Sequence, residues 1–149
     1  SAKNKKIIIY DGDLELKTIE IKNLMILDKN KKINFILGSR FLTINQYKSL
    51  WDFGNYLITK LFNLIFQSNL SDALCCSKSF YKKDIPLKNI FSTGFDIDIE
   101  ITSYLIKSKK KYITIPLSYS RRTKKEGKKL RYRDTWIIIS RIIYSSKRL

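Results

Sequence analysis

Apolar and polar residues along this chain fall into short β-branched runs that alternate with longer stretches of helical spacing. Lys6 to Tyr10, with Ile7, Ile8 and Ile9 in succession, predicts a buried strand. Thr18 to Leu27 places Ile21, Leu24, Met25 and Ile26 at helical intervals and predicts an amphipathic helix. Asp28 to Lys32 is a polar turn, and Ile33 to Leu37 predicts a second strand, which makes a β-α-β unit. Such a unit brings Asp11 and Gly38-Ser39-Arg40 to the carboxyl ends of neighbouring strands, where open α/β sheets bind their ligands. A long helix follows from about Lys48 to Gln67, then a loop through Ser71-Asp72, a strand near Ser77 to Tyr81 and a break at Pro86. Asp96 to Lys107 predicts a helix, Lys111 to Pro116 a strand, Leu117 to Thr123 an extended segment entering a lysine-rich loop, and Arg133 to Arg148 a last helix. The predicted class is α/β, a mixed sheet flanked by helices, organised as one domain over residues 1–149 with a basic amphipathic segment at 121–149.

Two of these helices carry unusual patterns. Between Leu50 and Phe66 the polar positions Asn55, Thr59, Asn63 and Gln67 form a narrow stripe at spacing four, which leaves an apolar face wider than most surface helices show. Burial in the core is the ordinary expectation for that face. In the last helix Trp136, Ile139 and Ile143 share a side while Arg141, Lys147 and Arg148 supply cations, a pattern that suits the interface of an anionic membrane and equally a helix docked on its own domain. Neither apolar stretch reaches the ~20 residues needed to span a bilayer, since Lys60 and Arg141 interrupt them. No secretory leader is recognisable.

Composition narrows the class. With 149 residues of which 44% are hydrophobic, the chain can bury a core. Thirty basic against 13 acidic residues give +17, which calls for an anionic partner: nucleic acid, a phosphorylated substrate or an acidic membrane surface. Residues 107–149 hold fifteen Lys or Arg against Glu126 and Asp134 alone, so the basic surface is C-terminal. Nucleic acid is disfavoured because no RNA- or DNA-binding motif is present and the basic residues are not interleaved with aromatics in one segment. Cys75 and Cys76 are adjacent and there is no histidine, which excludes a disulfide framework, an ordinary zinc site and a Cys/His dyad and fits a reducing compartment.

The candidate chemistry begins at Asp11-Gly12-Asp13. Two carboxylates one residue apart at the tip of a strand, with Glu15 close behind, are hard oxygen ligands of the kind Mg²⁺ or Mn²⁺ requires when it bridges to a diphosphate. A solvated loop or helix cap produces the same local sequence.

From Ile7 to about Asp134 the landmarks resemble, in order, the C-terminal half of the family 2 glycosyltransferases, particularly the branch that includes dolichyl-phosphate mannose synthase and bacterial polyprenyl-phosphate sugar transferases. The residues that carry the resemblance are Tyr10-Asp11-Gly12-Asp13-Leu14-Glu15, Gly38-Ser39-Arg40-Phe41, Asn69-Leu70-Ser71-Asp72 with Lys78 and Phe80, and Gly94-Phe95-Asp96 with Glu100-Ile101-Thr102. Ile115-Pro116-Leu117-Ser118-Tyr119 and the run Arg122 to Leu130 ending in Tyr132-Arg133-Asp134 complete it. The resemblance implies a GT-A fold and metal-dependent transfer of a sugar from a nucleotide-diphosphate donor to a polyprenyl or dolichyl phosphate, on the cytoplasmic face of a membrane to which the protein is peripheral. Asp11 and Asp13 match the D-x-D motif that holds Mg²⁺ or Mn²⁺, with Glu15 a third acidic position. Asp72 matches the acidic residue near the acceptor, as general base or positioning group, and a cap or turn role suits its sequence context equally. Arg40, Arg122, Lys128 and Lys129 become the phosphate-binding candidates, the arginines for defined contacts because of their planar fork. Lys78 and Glu100 match family positions that a buried ion pair would also explain.

Ala73-Leu74 and Gly12 depart from common family choices, and Tyr132 replaces a frequent tryptophan. The family's opening strand, its Pro-x-Tyr-Asn-Glu type motif and its base-recognition residues have no counterpart before Ile7. The resemblance thus implies a chain inactive by itself, completed by a separate N-terminal half or by self-association, or else a noncatalytic remnant that binds a membrane or partner.

Overall fold

Short β-branched runs that cannot satisfy their backbone alone pair into one sheet, and helices cover both of its faces. The computed structural model describes residues 5–12, 15–28, 32–43, 49–120 and 132–148. Strands β1 (Lys6–Ile9), β2 (Phe35–Ser39), β3 (Lys78–Tyr81) and β4 (Tyr112–Pro116) form a mixed four-stranded sheet in the order β1-β3-β2-β4. β3 is antiparallel to both β1 and β2, while β2 and β4 are parallel. β1 and β2 therefore run in one direction with β3 inserted between them. Ile9 and Leu37 both pair with Lys78, so the two strands end level with each other.

One sheet face carries Ile7, Ile9, Phe35, Leu37, Phe80 and Tyr112 and is covered by α2 (Leu50–Phe66), α3 (Ile97–Lys107) and α4 (Tyr132–Arg148). Phe35 and Tyr112, paired in register, stack with ring centroids 4.9 Å apart. The opposite face carries Ile36 and Ile115 and packs against Leu16, Leu24, Leu27 and Leu117. Leu24 lies in α1 (Ile21–Leu24), a single turn of α-helix between 3₁₀ turns at Thr18–Glu20 and Met25–Asp28.

The predicted elements are present, with two corrections. In the first helix Leu24 and Leu27 are buried while Met25 and Ile26 are exposed. Leu24 and Leu27, three apart, share one face in an α-helical or a 3₁₀ turn, and that face, not the one of Met25 and Ile26, meets the sheet. In α2 part of the apolar face is buried as expected, through Ile58 and Phe62 with Leu61, Ile65 and Phe66 packed beside them, but polar residues turn inward too and several leucines do not. Asp52 and Thr59 are buried, Asn63 bonds the adjoining loop, and Leu50, Leu57 and Leu64 face outward. Among the described residues no helix is long and apolar enough to cross a membrane.

Candidate functional site

The level ends of β1 and β2, the entry to β3 and the segment after β4 form a shallow cleft, open to solvent, with about 30 Å³ of free space and lined by Asp11, Glu15, Leu16, Arg40, Cys75, Cys76 and Tyr119. Its position follows from strand direction: Asp11 lies two residues past Ile9, Arg40 one past Ser39 and Tyr119 three past Pro116, all at the carboxyl rim. That is room for a water or two, far below the roughly 300–1,000 Å³ of pockets that enclose a small molecule, so a ligand would touch the rim and not be enclosed by it.

Close backbone contacts make the rim. Gly38 N–H donates to Ser77 O at 2.8 Å, and a Cβ on Gly38 would stand 2.3 Å from Leu117 Cδ1 and 3.1 Å from both Ser77 Cβ and Ser77 O. No residue with a side chain fits there without displacement. The segment past β4 is stitched down at several points. Leu117 N–H donates to Ser39 O at 3.0 Å, Thr43 Oγ1 donates to Leu117 O at 2.6 Å, and Ser120 N–H donates to Glu15 O at 2.8 Å. The Glu20 carboxylate accepts from Ser118 N–H at 2.9 and 3.0 Å. Tyr119 is thereby fixed beside Arg40, whose guanidinium carbon lies 5.5 Å from the Tyr119 ring and 5.7 Å from that of Phe41.

Arg40 is the best-defined charge of the site. Its Nε and Nη2 donate to the two oxygens of Asp72 at 2.7 and 2.9 Å, and its backbone N–H donates to the same carboxylate at 3.1 Å. The Asp72 side chain is wholly buried and that of Arg40 is 16% exposed. Burial alone would lower the Arg40 guanidinium, but the charge and hydrogen bonds of Asp72 outweigh it and hold the group well above its ordinary value. Asp72 is thus neither a helix cap nor a carboxylate open to solvent: it fixes the fork of Arg40.

The loop that carries Asp72 is held from the inward side of α2. Asn63 accepts from Leu70 N–H at 2.9 Å, donates to Leu70 O at 2.8 Å and accepts from Ser68 Oγ at 2.8 Å. Thr59 Oγ1 accepts from Ala73 N–H at 3.2 Å, and Ser71 Oγ donates to Ser39 Oγ at 2.8 Å. The polar stripe read from the sequence is a loop-holding device.

Lys78, buried between the ends of β1 and β2, donates to Asp98 at 2.7 Å and to Cys75 O. Glu100 accepts from the N–H groups of Phe91 and Ser92 and lies 3.8 Å from Arg141 Nη1. Both are engaged in structural contacts. Arg141 Nε donates to Asp96 at 2.8 Å, so its guanidinium ties α4 to the start of α3, the contact expected of a helix docked on its own domain. In the lining of the cleft the Cys76 thiol is pushed up by the adjoining Cys75, by burial and by the charges of Asp11 and Asp98.

Of the residues singled out from the sequence, Asp11, Glu15 and Arg40 share one cleft and Asp72 supports it from behind. Asp13, Arg122, Lys128 and Lys129 lie outside the described residues. Among the described residues no three acidic or cysteine side chains cluster closely enough to hold a metal by themselves. Sequence reasoning gave no site role to Tyr119, Cys75 or Cys76; for Tyr119 the available signal was its place just past the end of a strand. No family model and no curated protein matches this chain.

Proposed function

We propose that this domain is the metal- and acceptor-binding part of a GT-A type glycosyltransferase, which transfers a sugar from a nucleotide diphosphate to a polyprenyl or dolichyl phosphate at the cytoplasmic face of a membrane. The observation that carries the reading is the rim cleft in which two carboxylates, Asp11 and Glu15, meet a guanidinium, Arg40, at the ends of strands that run in one direction. Carboxylate oxygens suit Mg²⁺ or Mn²⁺, and two of them fill part of an octahedral shell and leave positions for a diphosphate and water. Bound there, the ion would offset the negative charge that grows on the departing nucleotide diphosphate.

The chain's own residues divide the remaining tasks. Asp72 orients Arg40, with Nε and Nη2 turned to the carboxylate, so a phosphate would meet the remaining nitrogen of a fork already fixed in direction. The Tyr119 and Phe41 rings confine that fork. A phosphate acceptor is anionic near neutral pH and needs no proton removed, so Asp72 serves as a positioning residue. Arg122, Lys128 and Lys129 are the further phosphate-binding candidates in this reading.

Calorimetric titration of Mn²⁺ into the chain, with and without a nucleoside diphosphate, tests the proposal. Weak Mn²⁺ binding that strengthens with the diphosphate and is lost in Asp11→Ala is the expected result. Mn²⁺ binding of equal strength in wild type, Asp11→Ala and Asp13→Ala would refute the site. A second reading, a noncatalytic glycosyltransferase remnant, draws on the neutralisation of Asp72 by Arg40. It predicts no diphosphate-dependent binding in any variant.

A further inference from the structure

A surface helix of a water-soluble domain turns polar residues outward, but α2 exposes large apolar ones as well. Its inward side carries the core residues Ile58 and Phe62 together with Asp52, Thr59 and Asn63, each of these three occupied in a hydrogen bond, whereas Leu50, Phe53, Leu57 and Leu64 are 73, 39, 51 and 78% exposed. Those four positions follow at intervals of three, four and seven and share one outer side of the helix, with exposed Lys60 between Leu57 and Leu64. α4 packs against α2 on the same side of the sheet and adds a second exposed apolar patch, in which Trp136 is 73% and Tyr144 49% exposed. Exposed Arg133 lies near one end of that patch and exposed Lys147 near the other.

We infer that the outer faces of α2 and α4 are a docking surface for an anionic lipid bilayer, with the leucines of α2 and Trp136 entering the headgroup region. Charge selects this occupant. At +17 the chain repels a second copy of itself and is drawn to acidic lipid. The longest stretch outside the described residues, 121–131, contains one apolar residue, Leu130, and seven Lys or Arg, so its composition suits headgroups and not the leucine stripe. An apolar stripe between cations is the pattern of helices that lie in a membrane interface. The inference stands on the orientation of α2 and does not require the glycosyl-transfer reading.

Flotation with vesicles of phosphatidylcholine alone, or of phosphatidylcholine mixed with phosphatidylglycerol, tests it. Wild type is expected to partition onto the acidic vesicles, and Leu57→Ser/Leu64→Ser, which changes only exposed positions and no charge, to bind at least about tenfold more weakly, ~1.4 kcal/mol, at unchanged circular dichroism. An independent signal comes from Trp51→Phe protein, in which brominated lipid should quench Trp136. Binding that the double variant leaves unchanged would overturn the inference in favour of charge attraction alone. Absence of vesicle binding would overturn it as well. A wild-type dimer in sedimentation, dissociated by the same variant, would reassign the face to self-association. None of these readouts involves Mn²⁺, so the bilayer surface and the metal site fail or stand separately.

Discussion

Replacing Arg40 by alanine leaves the Asp72 carboxylate with no access to water and removes two of its three hydrogen-bond donors, keeping only the backbone N–H at residue 40. Two lost charge-assisted bonds at about 1.5–3 kcal/mol each set the scale, which agrees with the ~3–5 kcal/mol found when one member of a buried pair is removed. The reverse change is milder. In Asp72→Ala the guanidinium, 16% exposed, keeps some contact with solvent and lies against two aromatic rings. The double variant removes both charges and is expected to be less destabilised than the sum of the single changes by at least ~1.5 kcal/mol, since contacting residues are not additive. Urea unfolding followed by circular dichroism, at fixed salt, gives all four corners of the cycle. Strict additivity, or an Arg40→Ala cost under about 1 kcal/mol as for an exposed pair, would show that the pair does not order the rim.

Gly38→Ala should cost ~1–3 kcal/mol in the same assay, the usual range for overpacking, because Ser77 O is backbone and cannot withdraw as Leu117 Cδ1 can; a neutral result would mean that the rim is not tightly packed. For Asp96, burial pushes the carboxyl up, the nearby Ser92 hydroxyl makes no hydrogen bond of normal geometry, and the bond from Arg141 decides the net lowering below 3.8. A depressed carboxyl contributes stability that is present above its unfolded value, ~3.9, and is lost as pH falls through the folded one. Thermal scans from pH 6 downward should therefore show an acid-side loss that Arg141→Gln flattens while lowering stability at neutral pH, and identical acid slopes would refute the assignment. Asn63→Ala, which removes three hydrogen bonds to the loop of Asp72, should cost ~2–3 kcal/mol at about 1 kcal/mol per bond and raise hydrogen exchange at Leu70 and Ala73; unchanged exchange there would separate α2 from the loop.

The β-branched runs and helical periods located most elements within two or three residues, because local pattern governs where strands and helices begin. Pairing order was beyond that pattern. Nothing between Ile7 and Leu37 signals that β3, from residues 78–81, will enter between β1 and β2, since that placement depends on pairings such as Leu37 with Lys78 and Ile9 with Lys78, far apart in the chain. Separation along the chain likewise hides the Arg40–Asp72 pair, 32 residues apart, although each residue was singled out on its own. The periodicity of α2 revealed two unlike faces and could not tell which meets the sheet, for a moment has no inside or outside until the neighbouring loop supplies hydrogen-bond partners for Thr59 and Asn63. The 3₁₀ character around α1 was unreadable for a related reason: Leu24 and Leu27 satisfy either helix type, and the packing of Leu16 and Leu117 against them selects one.

Helix α2 links the two surfaces of the domain. Its outward leucines face whatever covers the helix, and its inward Thr59 and Asn63 hold the loop from Leu70 to Ala73, which carries Asp72, which in turn orients Arg40 at the cleft. Each step is a hydrogen bond or ion pair of defined direction, so a rotation of α2 about its axis would be transmitted to the guanidinium and not absorbed in side-chain freedom. The core holds α2 through buried Ile58 and Phe62 and partly buried Leu61, Ile65 and Phe66. A bilayer or partner that seats Leu50, Leu57 and Leu64 would add to that constraint from the outer side. On this argument the covering of α2 and the order of Arg40 are one property of the fold, read from opposite sides of the same helix.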